Sequence, residues 1–207
     1  MLTGLTRIAV LVSGGGTNLQ ALIDAQRSGQ LRSGELVLVV SNVKDAYALT
    51  RAKNAGIPGV TLTKRGCGGQ AGFEAALSEL LERERIDLVI LAGFLSILSA
   101  DFTAKYPERI LNIHPSLIPS FCGAGFYGLR VHDAALRYGV KVTGATVHYV
   151  NEIPDGGRIL LQKAVDVLPG DTPETLQRRV MEQAEWLLLP QAAELVSARL
   201  QSEREGN

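Results

Sequence analysis

The sequence predicts a single-domain α/β fold: a parallel N-terminal sheet with helices on both faces, extended by an antiparallel C-terminal part. Three observations carry this prediction. Through residue 113, short runs of Ile, Val and Leu alternate with longer segments whose apolar residues recur at helical spacing. A β-α-β-α order of this kind joins its strands by helical crossovers, and crossovers make neighbouring strands parallel. Beyond residue 140 the pattern becomes two long strand-like runs joined directly by residues 151–157, the mark of antiparallel pairing. A length of 207 residues suits one domain with a sizeable core.

Residues 7–13 form a continuous apolar run, read as a buried strand that ends in the Gly14-Gly15-Gly16 turn. A helix starts near Thr17, with Leu19, Leu22 and Ile23 on one face and Gly29 as its stop. Residues 35–41 are a second strand, 44–55 a helix ended by Gly56 and Pro58, and 60–62 a short strand. A glycine-rich loop over 64–72 precedes a helix that carries Phe73, Leu77, Leu80 and Leu81 inward. Residues 87–92 and 110–113 are further strands, and 115–128 a long loop. A helix over 130–138 leads to strands over 142–150 and 158–167. Thr172-Pro173 reads as a cap and first turn, and the following helix presents Leu176, Val180, Leu187 and Leu188. Pro190 is expected to kink or restart that helix, and the polar tail from Ser202 to fray.

Composition narrows the function. Lys plus Arg equals Asp plus Glu, 21 each, so no net charge draws the chain to nucleic acid or to an anionic membrane. Anions must be bound by local geometry. The two cysteines, Cys67 and Cys122, form no C-x-x-C pair and are read as free thiols in a reducing cytoplasm. The first apolar run is too short for a signal peptide, and the run over 88–98 falls short of the ~20 residues that span a bilayer.

Ser13-Gly14-Gly15-Gly16-Thr17-Asn18-Leu19 places a glycine turn between a strand and a helix N-terminus, where free backbone amides and the helix dipole favour an anion. It is not a dinucleotide fingerprint, because Leu19 replaces the third glycine and Ser41-Asn42 stands where an acid is needed. It also lacks the G-K-[ST] of a triphosphate loop. A single phosphate suits what remains; the alternative is a tight structural turn.

Among three histidines, His114 ends a strand at the edge where parallel sheets bind ligands, and Pro115 blocks further regular pairing. Asn112, two residues earlier, shares its face in an extended strand. An amide and an imidazole side by side are two donors for one developing oxyanion. Asp155 lies before Gly156-Gly157, and an aspartate there is by default a turn residue; beside His114 it would raise the imidazole pKa and accept protons. The histidines are not at metal-ligand spacing, and no G-x-S-x-G elbow is present, so neither a metal nor a serine triad is expected.

Together with Leu91-Ala-Gly-Phe94, Ile110-Leu-Asn-Ile-His-Pro-Ser-Leu-Ile-Pro119, Thr143-Gly-Ala-Thr-Val-His148 and Asp155-Gly-Gly157, the glycine turn resembles the folate-dependent formyltransferases. Motif order, spacing and length most resemble the branch whose acceptor is glycinamide ribonucleotide, over about residues 7–195. The resemblance implies a Rossmann-like formyltransferase fold with a phosphate-binding half, about residues 1–110, and a folate-binding and catalytic half, about 111–200. It implies formyl transfer from 10-formyltetrahydrofolate to the glycinamide amine in purine biosynthesis by direct attack, with no metal and no nucleic acid or membrane partner. Asn112, His114 and Asp155 would be catalytic, with His114 protonated and Asp155 keeping it charged. Gly15, Gly16, Thr17 and Asn18 would hold the phosphate, and Glu185 the glycinamide or ribose end. Gln70, Leu95, Ser96, Ile97, Leu98, Asn112, Asn151, Glu152, Ile153, Pro154 and Asp155 would line the folate site. The chain departs from the family at Gly15, where Asn is common, at Gln70 and Ser96, where Arg is frequent, and at Trp186, where His is common; Lys64 or Arg65 could replace the missing arginines at the folate tail. The sequence leaves monomer and homodimer equally open.

Overall fold

In the computed structural model, which describes residues 4–206, seven strands form one sheet. In chain order they are β1 (Thr6–Val12), β2 (Gly34–Ser41), β3 (Gly59–Thr61), β4 (Leu88–Leu91), β5 (Ile110–His114), β6 (Val142–Tyr149) and β7 (Ile159–Asp166). Across the sheet the order is β3-β2-β1-β4-β5-β6-β7. The first five pair in parallel; β6 and β7 add on antiparallel. The helices are α1 (Thr17–Ser28), α2 (Tyr47–Asn54), α3 (Gln70–Arg83), α4 (Ala100–Thr103), α5 (Leu129–Tyr138), α6 (Pro173–Val180) and α7 (Trp186–Glu205).

The period of two in β1 splits the core. Ile8, Val10 and Val12 face a layer built from Leu19 and Leu22 of α1, Ala48 of α2, and Leu189 and Val196 of α7. Ala9 and Leu11 face the opposite layer, with Phe73, Leu77 and Leu81 of α3 and Phe102 of α4. These side chains are essentially solvent-free, and each buried Leu or Phe contributes on the order of 2 kcal/mol through lost apolar exposure. The chain winds from β1 outward to β3, then crosses to β4 on the other side of β1. That reversal opens a crevice at the carboxyl ends of β1 and β4, where such sheets bind ligands. Its two rims are tied together: Ser13 N–H donates to Gly93 O at 3.1 Å, and Leu95 N–H to Ser13 Oγ at 2.8 Å.

Four elements differ from the sequence expectation. α2 begins at Tyr47 rather than near residue 44, because Asp45 is left-handed (φ 61°) and Ala46 is extended. A short helix, α4, appears where none was expected, nucleated by the Ser99 hydroxyl accepting Phe102 N–H. Pro190 neither breaks nor restarts its helix; the irregularity lies upstream as a π-helical turn, Met181–Glu185. Proline offers no N–H to the carbonyl four residues back, and the widened turn ends next to that carbonyl, on Trp186. The tail does not fray from Ser202: α7 runs to Glu205, docked by Arg204 on Asp87 at 2.6 Å.

Candidate active site

β5 extends through His114, so Asn112 and His114 do project from the same face. The antiparallel partner β6 sets His148 opposite Asn112 in register, and Asn112 Nδ2 approaches His148 Nε2 at 3.1 Å. The His148 Nδ1 lies 2.8 Å from Tyr149 O. A carbonyl only accepts, so Nδ1 carries the proton and Nε2 is the acceptor for one Asn112 N–H. The second N–H of that amide makes only a long contact, 3.4 Å, to Asp155 Oδ1, which leaves it available to another oxygen.

Asp155 occupies the connection between β6 and β7 in a left-handed conformation, φ 55°. Its Oδ2 accepts the Gly123 N–H at 2.8 Å and lies 3.5 Å from His114 Nδ1; its Oδ1 lies 3.5 Å from His148 Nε2. Burial pushes this carboxyl up, but its contacts with the His148 and His114 rings and with the Gly123 N–H outweigh it and hold it below the usual range. The turn residue thus sits against both imidazoles.

His114 Nε2 is 2.9 Å from Phe121 O, which fixes a proton on Nε2 and aims Nδ1 at Asp155 and the cleft. Here the sequence reading needs correction. Asp155 does pull the His114 pKa upward, but burial at 4% exposure is the larger effect and leaves it below the ordinary histidine value. In the free site, then, Asp155 does not by itself keep the ring charged.

These groups form the floor of a cleft of about 430 Å³. One wall is Leu95, Ser96, Ile97 and Leu98; the facing wall is Asn151, Ile153, Pro154 and Asp155. Gln70 and Glu152 are not among the lining residues. Gln70 instead donates to Ile97 O at 3.1 Å and to Glu74 Oε1, bracing the Leu95 wall from outside. Glu152 borders a separate, smaller cavity. Phe126 and Tyr127 of the long loop join the lining. Cys67 and Cys122 are free thiols; burial and nearby Asp155 push the Cys122 thiol up, against nucleophilic use.

At the other end of the cleft lie Thr17 and Asn18 of α1; Gly15 and Gly16, just before them in the chain, are not among its lining residues. Gly16 adopts φ 71°, which turns the chain into α1. Glu185, the last residue of the π-helical turn, projects onto Asn18, whose Nδ2 donates to Oε2 at 2.7 Å. Burial raises the Glu185 carboxyl to about 7, only partly offset by that hydrogen bond. Asn18 Oδ1 is buried without a protein partner.

Sequence reasoning missed His148, the Phe121 carbonyl and the Gly123 amide. His148 alone left a signal, a histidine at an inward strand position of a long apolar run. The two main-chain groups are set by backbone turns at Phe121 (φ 50°) and Gly123 (φ 86°), which no residue type announces.

Comparisons with known proteins agree with this architecture. The formyl transferase family model matches residues 6–192. The phosphoribosylglycinamide formyltransferase of Haemophilus influenzae is 41% identical over 177 residues, covering 86% of this chain and 81% of that protein. The trifunctional purine biosynthetic protein adenosine-3 of Gallus gallus is 45% identical over 95% of this chain, which spans only 19% of that longer protein. Among solved structures, glycinamide ribonucleotide transformylase 1 from Symbiobacterium toebii superposes with a TM-score of 0.87 at 43% identity, covering 94% of this chain and 88% of that one. On a family match over most of its length, and on relatives of which it covers 81% and 88%, this chain belongs to the formyl transferase family, in the group of phosphoribosylglycinamide formyltransferases.

Proposed function

We propose that the protein transfers the formyl group of 10-formyltetrahydrofolate to the amine of N1-(5-phosphoribosyl)glycinamide, in purine biosynthesis. The observation that carries this reading is the meeting of Asn112, His114 and Asp155 on the floor of one cleft. That cleft has an apolar pocket at one end and an anion-favouring turn at the other.

The walls at Leu95–Leu98 and 151–155 suit a flat heteroaromatic ring, and the apolar side chains Leu95, Ile97 and Ile153 are more than half exposed at its mouth. Gly15, Gly16, Thr17 and Asn18 take the acceptor phosphate, and Glu185 the adjoining sugar or glycinamide. The acceptor amine is then held against the formyl carbon, and holding both reactants in one cleft supplies much of the acceleration.

As the new N–C bond forms, negative charge develops on the formyl oxygen. Asn112 offers its second N–H to it. His114 starts neutral, and the growing charge makes its Nδ1 basic enough to take up the proton that the attacking nitrogen sheds. Asp155, directly beside Nδ1, stabilises the resulting imidazolium and passes protons by way of water. His114 gives the proton up as the C–N bond to the folate breaks, so the leaving nitrogen departs neutral. Loss of one such oxyanion donor typically costs ~10²–10³ in rate.

The deciding experiment follows 10-formyltetrahydrofolate with and without the acceptor. Consumption is expected only when N1-(5-phosphoribosyl)glycinamide is present. Equal turnover with water alone would reassign the site to hydrolysis of the formyl donor.

A further inference from the structure

The glycine turn is clamped from outside by α2. A Cβ placed on Gly16 would lie 2.6 Å from the Ala48 Cβ, so turn and helix are in van der Waals contact. Two donors reach across. The Ala48 N–H donates to Gly14 O at 3.0 Å, and the Arg51 Nε–H to Gly15 O at 2.8 Å. In a planar trans peptide the carbonyl of one residue and the N–H of the next point in opposite directions. Because both carbonyls are drawn toward α2, the Gly15 and Gly16 amides face away from it. Successive main-chain amides held this way, with the left-handed Gly16 closing the curve, make a concave anion cradle. Gly15 adds no side chain, so the cradle depends on how its peptide is turned.

Arg51 is itself held firmly. Its Nη1 donates to Gln20 Oε1 at 3.0 Å, and its guanidinium stacks 5.0 Å from the centre of the Tyr47 ring. All three partners are neutral, and among the described residues Arg51 makes no ion pair. A full positive charge therefore stands directly behind the turn. Donation into Gly15 O also polarises the same peptide and makes the Gly16 N–H a stronger donor.

We infer that Arg51 is a positioning residue of the acceptor's phosphate site: it fixes the Gly15–Gly16 peptide so that the Gly16 N–H donates to the phosphate, and it lends that site its uncompensated charge. The inference rests on the glycine turn being the phosphate site. Arg51 lies on the far side of the turn from the chemistry, so it acts on acceptor binding and leaves the formyl-transfer step alone.

The test compares N1-(5-phosphoribosyl)glycinamide with its dephosphorylated ribosyl counterpart, in the wild type, Arg51→Ala and Arg51→Lys. With the phosphorylated acceptor, Arg51→Ala raises KM roughly tenfold, the scale of one charge-assisted hydrogen bond, with kcat and the folate KM within about twofold. Arg51→Lys keeps the charge without the planar fork and falls between the two. With the dephosphorylated acceptor the three proteins have the same KM. An unchanged KM for Arg51→Ala in a wild-type background that prefers the phosphorylated acceptor would overturn the role of Arg51. So would an equal loss on both acceptors, which would mark a purely structural residue. A wild type indifferent to the phosphate would instead remove the phosphate site on which the inference rests.

Discussion

Asp155 meets Gly123, His114, His148 and Asn112 at once, and replacing it with asparagine separates its charge from its shape. The single oxygen of the new side-chain amide would take the Gly123 N–H, which needs an acceptor. The amide nitrogen would then face His148 Nε2 and the Asn112 amide, a donor where the carboxylate had offered an acceptor. His114 would lose the carboxylate beside its Nδ1 and, already depressed by burial, would take up a proton still less readily. Asp155→Asn is expected to lower kcat by at least ~10²-fold with both KM values little changed and the fold intact, as steady-state kinetics and circular dichroism would report. A kcat near that of the wild type would take the charge of Asp155 out of the mechanism. At this scale the sequence was half legible. The two-residue spacing of Asn112 and His114 implied a shared face, and the strand confirmed it. The contact between His114 and Asp155 joins residues far apart in the chain and is made by a turn, so no local pattern encodes it. The same holds for His148, whose role comes from the β5–β6 register, a property of two strands rather than of either one.

At the scale of elements, the connection between β6 and β7 is what delivers Asp155. It rejoins the sheet through Gly157, where a Cβ would sit 1.8 Å from Tyr149 O, with no flexible side chain in the way to yield. Only a shift of the backbone relieves such a contact, and that backbone begins two residues after Asp155. Gly157→Ala should cost about 1–3 kcal/mol of stability, read from urea unfolding, and should reduce kcat along with it. Wild-type stability and kcat in this variant would show that the connection adapts without moving Asp155. The strands were legible because each is a short apolar run, and most helices because their apolar residues recur at i, i+3 and i+4. The misreadings have two origins. The end of α7 is held by an ion pair to Asp87, a partner distant in sequence to which propensity is blind. The late start of α2, the Ser99 cap of α4 and the π-helical turn upstream of Pro190 are local backbone geometry that apolar spacing does not report.

Across the whole molecule, two buried titratable groups set opposing responses to pH. Glu185, at 6% exposure, has its carboxyl raised to about 7 by burial, and His132 of α5, at 0% exposure, has its imidazole lowered to about 4 by burial with a smaller push from His114. Both ring nitrogens of His132 lack a protein partner. Between roughly pH 4.5 and 6.5 an unfolded chain has Glu185 ionised and His132 protonated, whereas the fold keeps both neutral. For Glu185 the folded state binds the extra proton, so its contribution is full below about 4.5 and is lost as pH rises through about 7. For His132 the unfolded state binds the extra proton, so its contribution is full above about 6.5 and is lost as pH falls toward 4. Each slope is about 1.4 kcal/mol per pH unit, with opposite sign, and the two largely offset one another. Glu185→Gln keeps the shape and removes one side of this balance. Its unfolding free energy minus that of the wild type should therefore rise by about 1.4 kcal/mol per unit from pH 5 to 6.5 in urea titrations. His132→Leu should show a difference that falls with pH over the same range. A pH-independent offset for Glu185→Gln would mean that the carboxyl ionises in the fold as it does in the unfolded chain, and that the environment beside Asn18 is more hydrated than its burial implies. A positive result would show that below about pH 7 Glu185 keeps its proton beside the glycine turn proposed to take the phosphate. That arrangement spares an incoming phosphate the repulsion of a fixed negative charge at its side.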